Sequence, residues 1–310
     1  MTITSRIDAI TAITPEYRAE ILPAPKSVKI ELTAACNYRC GFCVKSLRAE
    51  SAVMDRKFYS RVIREMRDAG VEELGVFYIG ESFTCEWLAD AIREAKEIGF
   101  PYVFLTTNGS VAYPDRVEAC MAAGLDSLKF SVNFADLEQF REVTKVKAGL
   151  YKLALANLRA ARTVRDEGGY KCGLYASSIA FDGEQGERMA QLVAEHVEPF
   201  VDEFYWLPLY GMGGAAKAAG WKPQPGNPGR LGAMRPPLPC WSVFTEGHIT
   251  ATGMLSACCF GKGADDALAM ADLNTMGFMD GWNSAGYRVL RKAHLSGDVS
   301  GTACAECAAA

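Results

Sequence analysis

Hydrophobic positions along this chain alternate between two patterns. Short apolar runs at 28–32, 74–79, 102–106, 127–132, 172–180 and 203–209 read as strands, and the stretches between them carry apolar residues at helical spacing. The clearest helix is predicted over 55–69, where Phe58, Val62 and Met66 recur every four residues and Gly70 supplies a stop. Further helices are predicted near 86–98, 115–122, 137–165 (one or two) and 186–196. Six strand–helix units predict an α/β fold with a parallel sheet and right-handed crossovers over residues 27–210. Residues 1–26 read as an irregular lead-in ending in Pro23 and Pro25. Residues 211–239, rich in glycine and proline, read as a linker or an ordered crossing loop. The tail, 240–310, is predicted to open with a hairpin: a strand over 241–245, a turn at Glu246-Gly247, a strand over 248–251, then Gly253 and a return strand to Cys258.

The 310 residues suffice for one large domain and a small one. A net charge of −4 leaves no electrostatic footprint for nucleic acid. No apolar run approaches the ~20 residues of a membrane helix. The first eighteen residues carry acids and no continuous apolar core, so they do not read as a signal peptide. Eleven cysteines in that setting predict a reducing, cytoplasmic location and metal or redox use in place of disulfides.

Three of those cysteines follow the first strand directly, in Cys36-Asn37-Tyr38-Arg39-Cys40-Gly41-Phe42-Cys43. Thiolates are the usual ligands of iron–sulfur clusters, and three of them leave one iron of a [4Fe–4S] cube open. A zinc knuckle or three unrelated thiols are the plainer readings. Zinc wants a fourth ligand nearby, and His196, His248 and His294 are all distant in sequence. The pattern C-x3-C-x-aromatic-C resembles the radical SAM superfamily. That resemblance implies a partial (β/α)6 TIM barrel with its chemistry at the C-terminal strand ends. It also implies S-adenosylmethionine on the open iron and an external electron donor of flavodoxin or ferredoxin type.

The strand ends extend the resemblance. Tyr78-Ile79-Gly80-Glu81-Ser82 stands where the family carries Gly-Gly-Glu-Pro, which implies Gly80 and Glu81 at the methionine ammonium; Ile79 and Ser82 depart from the pattern. Thr106-Thr107-Asn108-Gly109 is similar to the family's Thr-Asn-Gly. Phe130-Ser131-Val132-Asn133 is similar to Ser-x-Asp, with Asn133 in place of the acid. Ser131 is thereby a candidate for the ribose or carboxylate, and Arg141 for the carboxylate. Each has a plainer reading as a turn or a solvated surface residue.

In the tail, Cys240, twelve residues, Gly253, four residues and Cys258 resemble the opening of SPASM and Twitch domains. Trp282-Asn283-Ser284 opens a helix, and Cys304-Ala305-Glu306-Cys307 follows. The resemblance implies a small auxiliary-cluster domain in which Cys240, Cys258, Cys304 and Cys307 hold a second, fully ligated [4Fe–4S] cluster. The same thiolates would also suit a structural zinc. Cys259 is left over. Strand alternation turns it away from Cys258, and a thiol can donate a hydrogen atom to a carbon radical. Its plainer reading is a small buried hydrophobe. Cys85 and Cys172 are lesser candidates, and Cys120 reads as core.

In this family a 5′-deoxyadenosyl radical takes a hydrogen atom from a substrate C–H bond. Three outcomes follow: epimerisation with a thiol donor, oxidation of an alcohol to a ketone through the auxiliary cluster, or modification of a ribosomal peptide. Only 26 residues precede the first strand, too few for a peptide-recognition domain, so a small-molecule substrate is expected. Cys259 directs the expectation to epimerisation of a sugar or aminocyclitol carbon, as in aminoglycoside-pathway radical SAM enzymes, with dehydrogenation as the alternative. A polycationic substrate would want acids at the barrel mouth, from among Glu81, Asp182, Asp202, Glu203, Glu246 and Asp298.

Overall fold

The computed structural model describes residues 2–47, 51–261 and 266–309. A helix, α1 (Ile3–Thr11), precedes the first strand. Then come β1 (Ser27–Ile30), α2 (Arg56–Ala69), β2 (Glu73–Gly75), α3 (Leu88–Ile98), β3 (Tyr102–Thr107), α4 (Pro114–Ala122) and β4 (Ser127–Ser131). Two helices, α5 (Leu137–Thr144) and α6 (Gly149–Gly168), lead to β5 (Gly173–Ile179), α7 (Gly183–His196) and β6 (Glu203–Leu207). One short turn, α8 (Ala215–Ala218), lies in the crossing segment. The tail holds α9 (Ser242–Thr245), β7 (Glu246–Ile249), β8 (Met254–Ser256), β9 (Ala269–Asp272), α10 (Phe278–Trp282), α11 (Ala285–Ser296) and α12 (Ala305–Ala309).

All named strands belong to one sheet, in the order β6-β5-β4-β3-β2-β1-β7-β8-β9. Strands β1 to β6 are mutually parallel, as six strand–helix units predicted. β7 then adds to the other edge of β1, also parallel, with Val28 opposite Gly247. β8 and β9 follow antiparallel. The tail therefore continues the barrel sheet and shares its core, which runs from Val28 and Leu32 through Ile249 and Leu255 to Trp282.

Two local expectations are corrected. Residues 241–245 are a helical turn, not a strand, and Glu246-Gly247 is not a turn: both residues lie inside β7, whose four residues are all buried. Pairing with β1 and β8 on either side overrides the turn propensity of Glu-Gly. The reversal comes at 250–253, where Gly253 takes a φ of +87° and its N–H donates to Thr250 O at 2.9 Å.

The lead-in is also more ordered than expected. In α1 the Thr2 side chain caps Ser5 N, and Ile3, Ile7 and Ile10 face one cavity. Ile3 N donates to Glu203 Oε2 at 2.8 Å, and Arg6 Nε lies 2.5 Å from Glu73 Oε1. The Arg6 guanidinium sits 3.3 Å above the Tyr102 ring. Glu203, Glu73 and Tyr102 begin β6, β2 and β3, so α1 closes the N-terminal end of the barrel.

Residues 211–239 are an ordered crossing loop. Arg230 pairs with Asp8 of α1 at 2.6 Å, Trp241 Nε1 donates to Asn227 O at 3.0 Å, and Gly226 N donates to Cys307 O at 2.6 Å. Trp221 packs edge-on against Phe42 and Phe181, with ring centroids 6.3 and 5.3 Å away. The loop thereby binds α1, the first cysteine loop and the tail together.

Candidate active site

Two adjoining cavities occupy the barrel. The smaller, about 200 Å³, lies at the C-terminal strand ends, where Cys36, Cys40, Cys43, Gly80, Glu81, Asn108 and Ser131 meet. The larger, about 410 Å³, runs down the barrel to α1. Cys43, Tyr78, Ser131 and Asn133 border both.

The cysteine loop is held in place by its neighbours. Arg39 N donates to Thr144 O at 2.9 Å and Gly41 N to Val143 O at 3.0 Å, seating the loop on the end of α5. Glu81 N donates to Ala35 O at 2.8 Å, and Gly80 N to Glu31 Oε1 at 3.1 Å. A Cβ on residue 80 would stand 1.9 Å from Thr33 O, so only glycine permits this approach.

The Glu81 carboxylate is buried and accepts from Asn108 N at 2.7 Å, Thr107 Oγ1 at 2.8 Å and Phe83 N at 3.1 Å. Burial raises its pKa against the pull of those three donors. It ties the end of β2 to the end of β3, which leaves it limited capacity to accept from an ammonium. Asn108 Nδ2 donates to Asn37 Oδ1 at 2.8 Å, and Asn37 Nδ2 to Ser110 Oγ at 2.8 Å, so Asn108 reaches across the mouth into the cysteine loop. Arg141 is not brought to this group: it is exposed on α5 and lines neither cavity.

A third cavity, about 60 Å³, lies in the tail and is bordered by Cys240, Cys258, Cys304 and Cys307. All eleven cysteines are free. Among the described residues no group of three or more His, Cys, Asp or Glu closes on a single ion. Thiols disposed around a space are the donor set of an iron–sulfur cluster, whose ligands sit at the corners of a cube. The three thiols of the first loop, around a cavity that continues past them, fit a cluster with one open iron.

His294 borders this third cavity, far as it is in sequence from any cysteine but those of the C-terminus. Its Nδ1 accepts from Cys240 N at 3.2 Å, and burial pushes its pKa down to about 4. The sequence weighed it only against the first cysteine loop, from which it is distant, and no local signal would have found it here.

Cys259 borders the central cavity and Cys258 the tail cavity, but the return strand expected to reach Cys258 ends at Ser256. Both cysteines lie in the bend and turn that follow, and their thiols stay within hydrogen-bonding reach of each other. Lys29 and Glu246 border the same central cavity, with Lys29 Nζ donating to Glu246 Oε1 at 2.7 Å. Glu246 Oε2 lies 3.1 Å from His248 Nε2. Burial opposes the Glu246 charge, but Lys29 and His248 outweigh it and hold the carboxyl down to about 2. Burial likewise opposes the Lys29 charge, and Glu246 reverses the sign, raising the ammonium pKa. Sequence reasoning missed Lys29. Its signal was a lysine at an alternating position of a barrel strand, on the face that points inward.

The acids expected at the mouth do not converge. Of Glu81, Asp182, Asp202, Glu203, Glu246 and Asp298, only Glu246 lines the central cavity, and it is paired. Asp202 meets Arg165 at 2.6 Å, and Glu203 holds α1. Glu73, also on this cavity, is paired with Arg6.

Residues 30–193 match the model of the Radical SAM superfamily. The chain belongs to that superfamily. Residues 240–308 match an iron-sulfur cluster-binding domain. A radical SAM domain carries S-adenosylmethionine and a [4Fe–4S] cluster, and the second domain adds iron–sulfur in the tail. A GTP 3′,8-cyclase of Marinobacter nauticus is 25% identical over 169 residues, 54% of this chain and 48% of that protein. The chain spans about half the length, or less, of the curated relatives it matches. Among solved structures, BtrN in complex with AdoMet and 2-DOIA aligns over 91% of both chains with a TM-score of 0.58 at 15% identity. SuiB of Streptococcus suis bound to precursor peptide SuiA aligns over 92% of this chain and 68% of its own, with a TM-score of 0.67 at 15% identity. At that identity the likeness is one of fold. Among the described residues no helix is long and apolar enough to cross a membrane.

Proposed function

We propose that this radical SAM enzyme epimerises one carbon of a small sugar or aminocyclitol, with Cys259 as the hydrogen-atom donor. The observation that carries the reading is the Cys259 thiol at the central cavity, outside the set of four that borders the tail cavity. When bound on the first cluster, S-adenosylmethionine supplies the hydrogen-abstracting group. Cys36, Cys40 and Cys43 would hold that cluster, and Gly80, Asn108 and Ser131 would border its ligand. The 410 Å³ central cavity lies in the range of small-molecule sites. Lys29 pairs with Glu246 and Arg6 with Glu73 within it, and Lys129 adds a cation over the Tyr205 ring, which favours a hydroxyl-rich substrate over a polycation.

The substrate loses a hydrogen atom from one face and gains one from the Cys259 S–H on the other. The sulfur is left one hydrogen short. It regains an electron from an external one-electron reductant, relayed through iron–sulfur, and a proton from solvent. Turnover in deuterium oxide tests this. The product is expected to be an isomer of the substrate, carrying one deuterium at the inverted carbon. A product two hydrogens lighter than substrate overturns the reading in favour of dehydrogenation.

The reductant reads from the surface. Arg39, within the cysteine loop, joins Lys145 and Lys147 along an open groove that no acid lines among the described residues. This suits an acidic flavodoxin or ferredoxin. Replacing Arg39 and Lys147 with Glu is expected to raise the KM for such a carrier about tenfold, less at high salt, as screened surface charges do. Activity driven by dithionite should not change. Steady-state kinetics with each reductant checks this.

A further inference from the structure

His294 joins the four tail thiols without any sequence motif to announce it. It is 1% exposed, on α11, and borders the cavity formed by Cys240, Cys258, Cys304 and Cys307. The N–H of Cys240 donates to Nδ1 at 3.2 Å. An imidazole nitrogen that accepts a hydrogen bond carries no proton, so the neutral ring holds its hydrogen on Nε2. That atom is fully buried and has no partner among the described residues. A buried N–H with no acceptor is costly, and native proteins rarely leave one unmade.

Among the described residues no carboxylate borders the cavity, so no ion pair accounts for it, and a group seated between the four thiolates would take the space that a water could otherwise occupy. Direct ligation is not needed either, since four thiolates fill the four corners of a [4Fe–4S] cube. The acceptor that fits is a sulfur of the group those thiolates would hold, in the cavity that His294 borders.

We infer that His294 is a positioning and tuning residue of the tail cluster: its Nε2–H donates to a cluster or thiolate sulfur, while its Nδ1 fixes the backbone of ligand Cys240. This rests on the iron–sulfur assignment of the tail and is independent of the epimerase reading. A hydrogen bond to sulfur stabilises the more negative, reduced state and raises the reduction potential. Histidine thus sets how readily the tail cluster takes an electron.

The test uses the full chain with Cys36, Cys40 and Cys43 replaced by Ala, so that the tail gives the only iron signal. His294→Phe removes the donor and keeps the ring shape. His294→Gln keeps both an acceptor and a donor. Iron content and an EPR-monitored redox titration are read on each, anaerobically. The expected result is about four irons in all three proteins, a midpoint shifted to more negative potential in His294→Phe, and partial recovery in His294→Gln. Equal midpoints at equal iron overturn the inference. If both variants lose iron, ¹⁴N hyperfine spectroscopy of the unsubstituted His294 protein decides. A weak coupling supports the hydrogen bond, and a strong one makes His294 a ligand and overturns it. No tail iron in the His294 protein overturns the cluster assignment itself and this inference with it.

Discussion

Cys259→Ser is expected to go on forming 5′-deoxyadenosine from S-adenosylmethionine while losing the inverted product. Abstraction depends on the first cavity, at the ends of β1 to β4, and residue 259 is not part of it. Return of hydrogen depends on a donor bond weaker than the C–H bond being made. A thiol meets that condition and an alcohol does not. Serine preserves the size and polarity of the side chain, so the cavity beside Lys29 and Glu246 should keep its shape. Product formation should fall on the order of 100-fold or more, equal to about 2.7 kcal/mol or more in barrier. Measuring 5′-deoxyadenosine and product in the same reaction separates the two half-steps. Inverted product at the wild-type rate would sink the donor role of Cys259, and with it the proposed epimerisation.

Replacing Cys36, Cys40 and Cys43 with Ala should abolish S-adenosylmethionine cleavage altogether while leaving the tail intact. The three thiols come from one loop, seated on α5 through Arg39 N and Gly41 N and on the β2 end through Ala35 O. The backbone bonds that seat this loop on α5 and β2 do not use the thiols. Among the described residues only two long ones do, Tyr38 N to Cys36 Sγ at 3.5 Å and Lys45 N to Cys43 Sγ at 3.4 Å, so the fold should survive their loss. The wild type is expected to hold about eight irons and the variant about four, following the thiolate count. Iron analysis and S-adenosylmethionine turnover check both halves. Four irons in a fully reconstituted wild type, with zinc in the tail, would remove the auxiliary cluster from the account. Residual cleavage in the variant would place the cofactor elsewhere.

Much of the site was legible because its determinants are local. The C-x3-C-x2-C loop is eight residues long, and its position after β1 follows from the end of an apolar run. Gly80 and Asn108 lie within a few residues of strand ends, and the parallel barrel gathers such ends at one mouth. Cys258 and Cys259 border different cavities, but strand alternation is not the reason: β8 ends at Ser256 and the two cysteines lie in the turn beyond it. The same reasoning failed for Arg141, whose helix turns it to solvent. It also failed for α1, whose stripe of three isoleucines is too short to stand out from a lead-in.

By itself, then, the sequence determined the alternating barrel, the cysteine sets and the membership they signal, because each is written in a spacing of a few residues. Tertiary structure alone decided that β7 joins β1, that this join brings Glu246 to Lys29 beside Cys259, and that α11 delivers His294 to Cys240. Those pairs lie far apart in the chain. No periodicity encodes them. They form because the exposed edge of β1 must find a partner for its backbone, and because a lysine enclosed by the barrel must find a counter-charge.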